Sequence, residues 1–225
     1  MSAAPTPGTS HCRVVIVDDH PIVRAGLAAL IDAEPDLEVC GHAEDAREAL
    51  RVVDSVRPHL VLVDLSLKGT SGLELIKQLV DRPVKVLVVS MHDEATWTER
   101  ALSAGALGYV HKSEATRDIV QAIRRVMSGR PYVSESISER MLQRMVGSGT
   151  RERIDSSVDA LSDRELEIFE RIGQGMTTQQ IGDVLCLSPK TVQTYRQRIK
   201  EKLGLDSAAE LSTEATRWVV ERSPS

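Results

Sequence analysis

The chain has 225 residues, 41% hydrophobic and 27% charged, with a net charge of −5. That composition suits a globular protein of one large or two small domains, and the acidic balance argues against non-specific nucleic-acid binding. No apolar run approaches the roughly 18 residues that span a bilayer, which excludes a membrane-spanning helix. Residues 1–11 have neither a basic stretch nor an apolar core, so they read as a disordered lead-in rather than a signal peptide. Cys12, Cys40 and Cys186 are far apart and lack metal-ligand spacing, as expected of reduced, inert cysteines in a cytoplasmic protein.

Residues 12–129 alternate strand-like and helical stretches. Predicted strands run over 13–17, 37–40, 60–63, 84–89 and 108–110, and predicted helices over 21–33, 45–54, 71–80, 93–103 and 115–128. In the first helix Ile22, Leu27, Leu30 and Ile31 recur near helical spacing, and Pro21 suits its first position. Strict alternation predicts a five-stranded parallel, doubly wound α/β domain, with the flavodoxin-like order 2-1-3-4-5 and a crevice between strands 1 and 3.

Polar residues stand where those strands end. Asp18 and Asp19 follow strand 1, Asp64 follows the apolar run Leu60–Val63, Ser90 ends strand 4, and Lys112 follows strand 5. In the predicted order three carboxylates converge at the crevice, flanked by a hydroxyl and an ammonium. Carboxylates this close need a cation, and an all-oxygen set suits Mg2+ (or Mn2+) better than zinc. Lysine and a small hydroxyl suit the remaining oxygens of a phosphoryl group. The set therefore reads as a magnesium-assisted phosphoryl acceptor with an aspartate nucleophile.

The domain resembles the receiver domain of two-component response regulators of the NarL/FixJ class. Asp18-Asp19-His20-Pro21 with Arg24, Gly26 and Leu27, Gly72 eight residues after Asp64, Ser90-Met91-His92-Asp93, and Gly105 through Lys112 carry the resemblance. It implies that Asp64 is the phosphoacceptor, and that Asp18, Asp19, Asp64 and the Ser66 backbone carbonyl hold the metal. Ser90 and Lys112 would contact the phosphoryl group, and Tyr109 would reorient when Ser90 moves. Lys68 departs from the family's usual proline, and Ser113 stands where an acidic residue is frequent.

Residues 130–158 read as a linker, with a short helix over 133–146 presenting Ile137, Met141, Leu142 and Met145, then a Gly/Ser-rich connector. Residues 159–225 read as an all-α unit of four helices. Ser162 and Glu165 form a capping box before the first, and Ser188-Pro189 opens the third, which runs through Leu203. Helix, tight turn, helix is a DNA-binding pattern. The segment from Asp159 holds nine Lys/Arg against eleven Asp/Glu, but the stretch 190–202 alone carries a net +4.

This unit resembles the LuxR-type helix-turn-helix through Leu161–Glu165, Gly175, Ile181, Leu185, Leu187-Ser188, Thr191-Val192, Ile199, Lys202-Leu203 and Glu210-Leu211. Gln193, Tyr195 and Gln197 depart from it, at positions where lysine, histidine and another basic residue are common. Gln193, Thr194 and Gln197 are expected to face the groove. Lys190, Thr191, Arg196, Arg198 and Lys200 complete the DNA-contacting set, the basic residues mainly on phosphates.

The sum is a cytoplasmic transcriptional regulator phosphorylated on Asp64 by a sensor histidine kinase. It would pair as a homodimer on promoter DNA with two-fold-related half-sites. It would not be an enzyme apart from self-phosphotransfer and slow autodephosphorylation. Two alternatives stand beside this: a phosphorylation-independent regulator with a structural acidic pocket, and an Asp-nucleophile phosphatase of the haloacid-dehalogenase type. The phosphatase needs a second acid two residues after its nucleophile, where this chain has Ser66.

Overall fold

The computed structural model describes residues 11–67, 69–92, 95–135, 137–139 and 158–222. The elements of the first part, in chain order, are β1 (Cys12–Val17), α1 (Pro21–Asp32), β2 (Leu37–Ala43), α2 (Ala46–Val56), β3 (Leu60–Val63) and α3 (Gly72–Leu79). There follow β4 (Lys85–Ser90), α4 (Ala95–Ser103), β5 (Gly108–His111), α5 (Ala115–Met127) and β6 (Tyr132–Val133). The second part comprises α6 (Asp163–Gly173), α7 (Thr178–Leu185), α8 (Pro189–Leu203) and α9 (Ala208–Arg222).

Among the described residues the sheet has six strands in the order β2-β1-β3-β4-β5-β6, all paired parallel. The first five stand as expected, and β6 is an addition. Tyr132 and Val133, predicted to lie in a linker, pair instead with Gly108 and Tyr109. Gly108 permits this, because a Cβ there would come within 2.7 Å of the Tyr132 carbonyl. Val133 is therefore in a strand rather than in the predicted linker helix. Ile137 beyond it is fully buried, while Met141, Leu142, Met145 and the connector lie outside the described residues.

Alternation along the strands feeds two cores. Val15, Val17, Val61, Val63, Val86 and Val88 pack with α2, α3 and α4, while Val14, Ile16, Leu60, Leu62, Leu87 and Val89 pack with α1 and α5. One member of the predicted α1 stripe does not take part: Ile22 is 88% exposed, because it falls in the first turn, ahead of the part of the helix that lies on the sheet.

The capping box at α6 is present, with the Glu165 amide donating to Ser162 Oγ and the Ser162 amide to the Glu165 carboxylate. Helix α9 packs so closely on α6 that a Cβ at Gly173 would meet the Ala215 carbonyl at 2.3 Å. Phe169 and Trp218 meet edge to face in that core. The first core continues from α3 and α4 into Leu161, Leu166 and Phe169, so α6 is buried on its receiver side as well.

Candidate functional site: an acidic pocket and an exposed basic helix

Register brings the acidic residues together. Val17 pairs with Val63, and the Asp64 amide donates to the Val17 carbonyl at 2.9 Å, so Asp18 and Asp64 leave neighbouring strands at one level. Ligand atoms of Asp18, Asp19, His20 and Asp64 lie within 4.8 Å of one another, and the three aspartates are buried. His20 Nδ1 lies 2.7 Å from Asp19 and 3.2 Å from Asp18. Hard carboxylate oxygens dominate this set, which fits a cation of the Mg2+ or Mn2+ kind.

Lys112 reaches the same place from the end of β5, where its amide donates to the Ser90 carbonyl. Its Nζ lies 2.7 Å from Asp64 Oδ2 and 2.7 Å from Asp18 Oδ2. One ammonium faces two buried carboxylates. Burial pushes the Asp64 carboxyl above its ordinary range; Lys112 pulls it back only in part, and Asp18 pushes it further up. Burial lowers Lys112, but Asp64 and Asp18 outweigh that and hold it above the usual lysine range.

The loop after β3 is held against α3. The Ser66 amide donates to Asp64 Oδ1 at 3.3 Å, and the Gly72 amide to the Leu65 carbonyl at 2.9 Å. A Cβ on Gly72 would sit 2.2 Å from the Asp64 carbonyl oxygen and 2.6 Å from Leu65 Cα, both backbone atoms. Only glycine lets the chain pass there. Ser90, fully buried, accepts from the His92 amide, and the hydroxyl of the buried Tyr109 donates to the His92 carbonyl at 2.5 Å. Lys68 lies outside the described residues.

Helix α8 buries Val192 and Ile199 and leaves Lys190, Gln193, Thr194, Gln197 and Arg198 exposed. Thr191 and Lys200 are half-buried. The Arg198 guanidinium lies over the Tyr195 ring, 5.8 Å from its centre, and Gln197 donates to Glu201. Arg196 differs from its expected neighbours. Four residues from Val192 and three from Ile199, it flanks the buried stripe, where desolvation lowers its pKa.

Two functional candidates escaped the sequence. His92 joins the pocket to α6 through Glu170, and Trp97 donates to the same carboxylate. A glutamate on a capped amphipathic helix carries no signal that it will be buried.

A doubly wound parallel sheet with an aspartate cluster at its switch point, joined to a helix-turn-helix unit, is the architecture of a response regulator with a DNA-binding domain. The family descriptions agree: "Response regulator receiver domain" matches residues 14–124, and "Bacterial regulatory proteins, luxR family" matches residues 159–215. The chain belongs to the two-component response regulators of the NarL/FixJ class, with a receiver domain and a LuxR-type DNA-binding domain. It is 41% identical to Response regulator GacA of Pseudomonas protegens, across 91% of this chain and 95% of that one. It is 34% identical to Response regulator UvrY of Escherichia coli, across 91% and 93%. A structure of RcsB from Salmonella enterica serovar Typhimurium, bound to promoter rprA with phosphomimetic BeF3-, shares the fold at a TM-score of 0.62. That likeness is at 23% identity and covers 92% of this chain and 98% of RcsB.

Proposed function

We propose that a sensor histidine kinase phosphorylates Asp64 and that this controls dimerisation and promoter binding by α8. The observation that carries the reading is the placement of Asp64: a buried carboxylate at a strand end, 2.7 Å from Lys112 and clustered with Asp18 and Asp19. An Asp64 oxygen attacks the phosphorus of the kinase phosphohistidine. A P–O bond forms, giving an acyl phosphate, and the P–N bond breaks, its electron pair returning to the imidazole. Asp18, Asp19, Asp64 and the Ser66 carbonyl would hold Mg2+ or Mn2+, which when bound neutralises the carboxylates and the incoming phosphoryl oxygens. Lys112 exchanges its carboxylate partners for a phosphoryl oxygen, and the Ser90 hydroxyl donates to another. Tyr109 turns as Ser90 moves.

On DNA, Gln193, Thr194 and Gln197 face base edges, where glutamine pairs bidentately with adenine. Lys190, Thr191, Arg198 and Lys200 lie against phosphates, with Arg196 at the margin. Two copies on two-fold-related half-sites supply the affinity that one unit, basic in α8 but acidic overall, lacks. RcsB, which shares this fold, is bound to a promoter in its structure, in keeping with a DNA-binding reading. Among the described residues no helix is long and apolar enough to cross a membrane, in keeping with a cytoplasmic site of action. Acetyl phosphate with Mg2+ is the test: wild type takes the label and Asp64→Asn does not. Equal labelling of the two would overturn the assignment.

A further inference from the structure

The groups around Asp64 meet again at one residue that the phosphoryl chemistry does not use. His92 follows β4 and is 5% exposed. Its amide donates to the Ser90 hydroxyl, and its carbonyl accepts from Tyr109. Its Nε2 lies 2.9 Å from the hydroxyl of Ser66, the residue whose amide donates to Asp64. On the far side of the ring, Nδ1 lies 2.8 Å from Glu170 Oε2 and 3.0 Å from Oε1. A carboxylate only accepts, so Nδ1 carries hydrogen and donates to Glu170, and in a neutral ring Nε2 accepts from the Ser66 hydroxyl.

Glu170 belongs to α6, the first helix of the DNA-binding domain, 78 residues away in sequence. Trp97 Nε1 donates to Glu170 Oε2 at 3.1 Å, and the Trp97 ring packs on the His92 ring with centres 4.5 Å apart. Lys77 and Arg100 add ion pairs to Asp163 at the start of α6, at 3.0 and 2.9 Å. Gln193, Thr194 and Gln197 stay exposed while α6 is held in this way. The contact thus places the DNA-binding domain without covering its reading face.

We propose that His92 is the positioning residue through which the state of the Asp64 loop governs the seating of α6 on the receiver. The inference rests on the reading of Asp64 as phosphoacceptor. A new phosphoryl oxygen accepts from the Ser90 hydroxyl, drawing that side chain away from the His92 amide, and shifts the Ser66 amide, and both residues hold His92 in register with Glu170. Losing them frees the imidazole, and Glu170 loses a buried charge-assisted partner. The domain is then released to pair with a second copy.

The chain has two tryptophans, so its indole N–H spectrum has two side-chain signals, and that of Trp97 reports the Glu170 contact directly. The full chain is titrated with beryllofluoride and Mg2+, and Asp64 labelling by acetyl phosphate is followed in parallel. In wild type the Trp97 signal is expected to move on titration. In Glu170→Gln, which keeps both rings in place, it starts displaced toward the beryllofluoride position and moves less, while labelling persists. His92→Phe, which keeps the stacked ring, behaves alike, and the double variant adds little to either. A Trp97 signal that ignores beryllofluoride in a wild type that takes label overturns the coupling. So do variants whose signals start and move as in wild type. Failure of Asp64-dependent labelling instead strikes the phosphoacceptor reading itself.

Discussion

Lys112 stands 2.7 Å from Asp64 while holding Asp18 at the same distance, so a single ammonium serves two buried carboxylates. The pocket is left with excess negative charge, and a cation or a change of protonation relieves it.

Lys112→Ala leaves both carboxylates without their ammonium. Removing one partner of a buried pair costs about 3 kcal/mol, and the loss should appear in urea unfolding at neutral pH. Added Mg2+ should recover part of it, and chelation should remove that gain. Acetyl phosphate labelling should fall at least tenfold even with Mg2+ present.

The raised Asp64 carboxyl gives a pH dependence of definite sign. A carboxyl with a folded pKa above its unfolded one contributes stability below the unfolded value, and loses it as pH rises through the folded one. Asp64→Asn, which is always neutral, should therefore exceed wild type in stability at pH 7 by about 1 kcal/mol. The gap should close on acidification below the ordinary carboxylate range. Urea midpoints of both proteins across pH 3 to 8 measure it, and a gap that widens in acid would contradict the sign.

Gly72→Ala introduces a Cβ into backbone atoms of Asp64 and Leu65. Neither can rotate away, so the acceptor loop must shift. A destabilisation of about 2 kcal/mol is expected, together with a drop in Asp64 labelling. Gly26→Ala, where nothing lies within 4 Å of the new atom, is the control and should leave labelling unchanged.

On DNA the basic residues of α8 should separate. On a duplex obtained by selection from random sequence, Lys190→Ala and Arg198→Ala should each weaken binding and lower the salt slope by about one. Arg196→Ala should change the slope less, because its guanidinium flanks the buried stripe. Gln193→Ala should relax base preference at one position and leave the slope unchanged. Anisotropy titrations between 50 and 200 mM salt would distinguish these effects.

Much of this molecule is local in origin. Leu60–Val63 has to be a strand buried on both faces, Ser162 has to cap a helix, and Pro189 has to begin one, because short-range sterics and periodicity decide each. Strand order then follows from right-handed crossovers, and so does the meeting of Asp18, Asp19, Asp64 and Lys112 at one edge. Other outcomes turned on packing. Ile22 has helical spacing but lies in the first turn, beyond the part of α1 that lies on the sheet, and Tyr132 became a strand because Gly108 left room beside it. Glu170 and His92 show the limit best. On its own helix Glu170 is a polar side chain that solvent would satisfy, and His92 is a loop residue. The sequence by itself determined two domains, a carboxylate pocket and a basic helix, because those depend on short segments and chirality. Only the tertiary structure decided that the first helix of one domain would bury its glutamate against the histidine of the other. That pairing depends on surfaces 78 residues apart in the chain meeting with a ring nitrogen opposite a carboxylate.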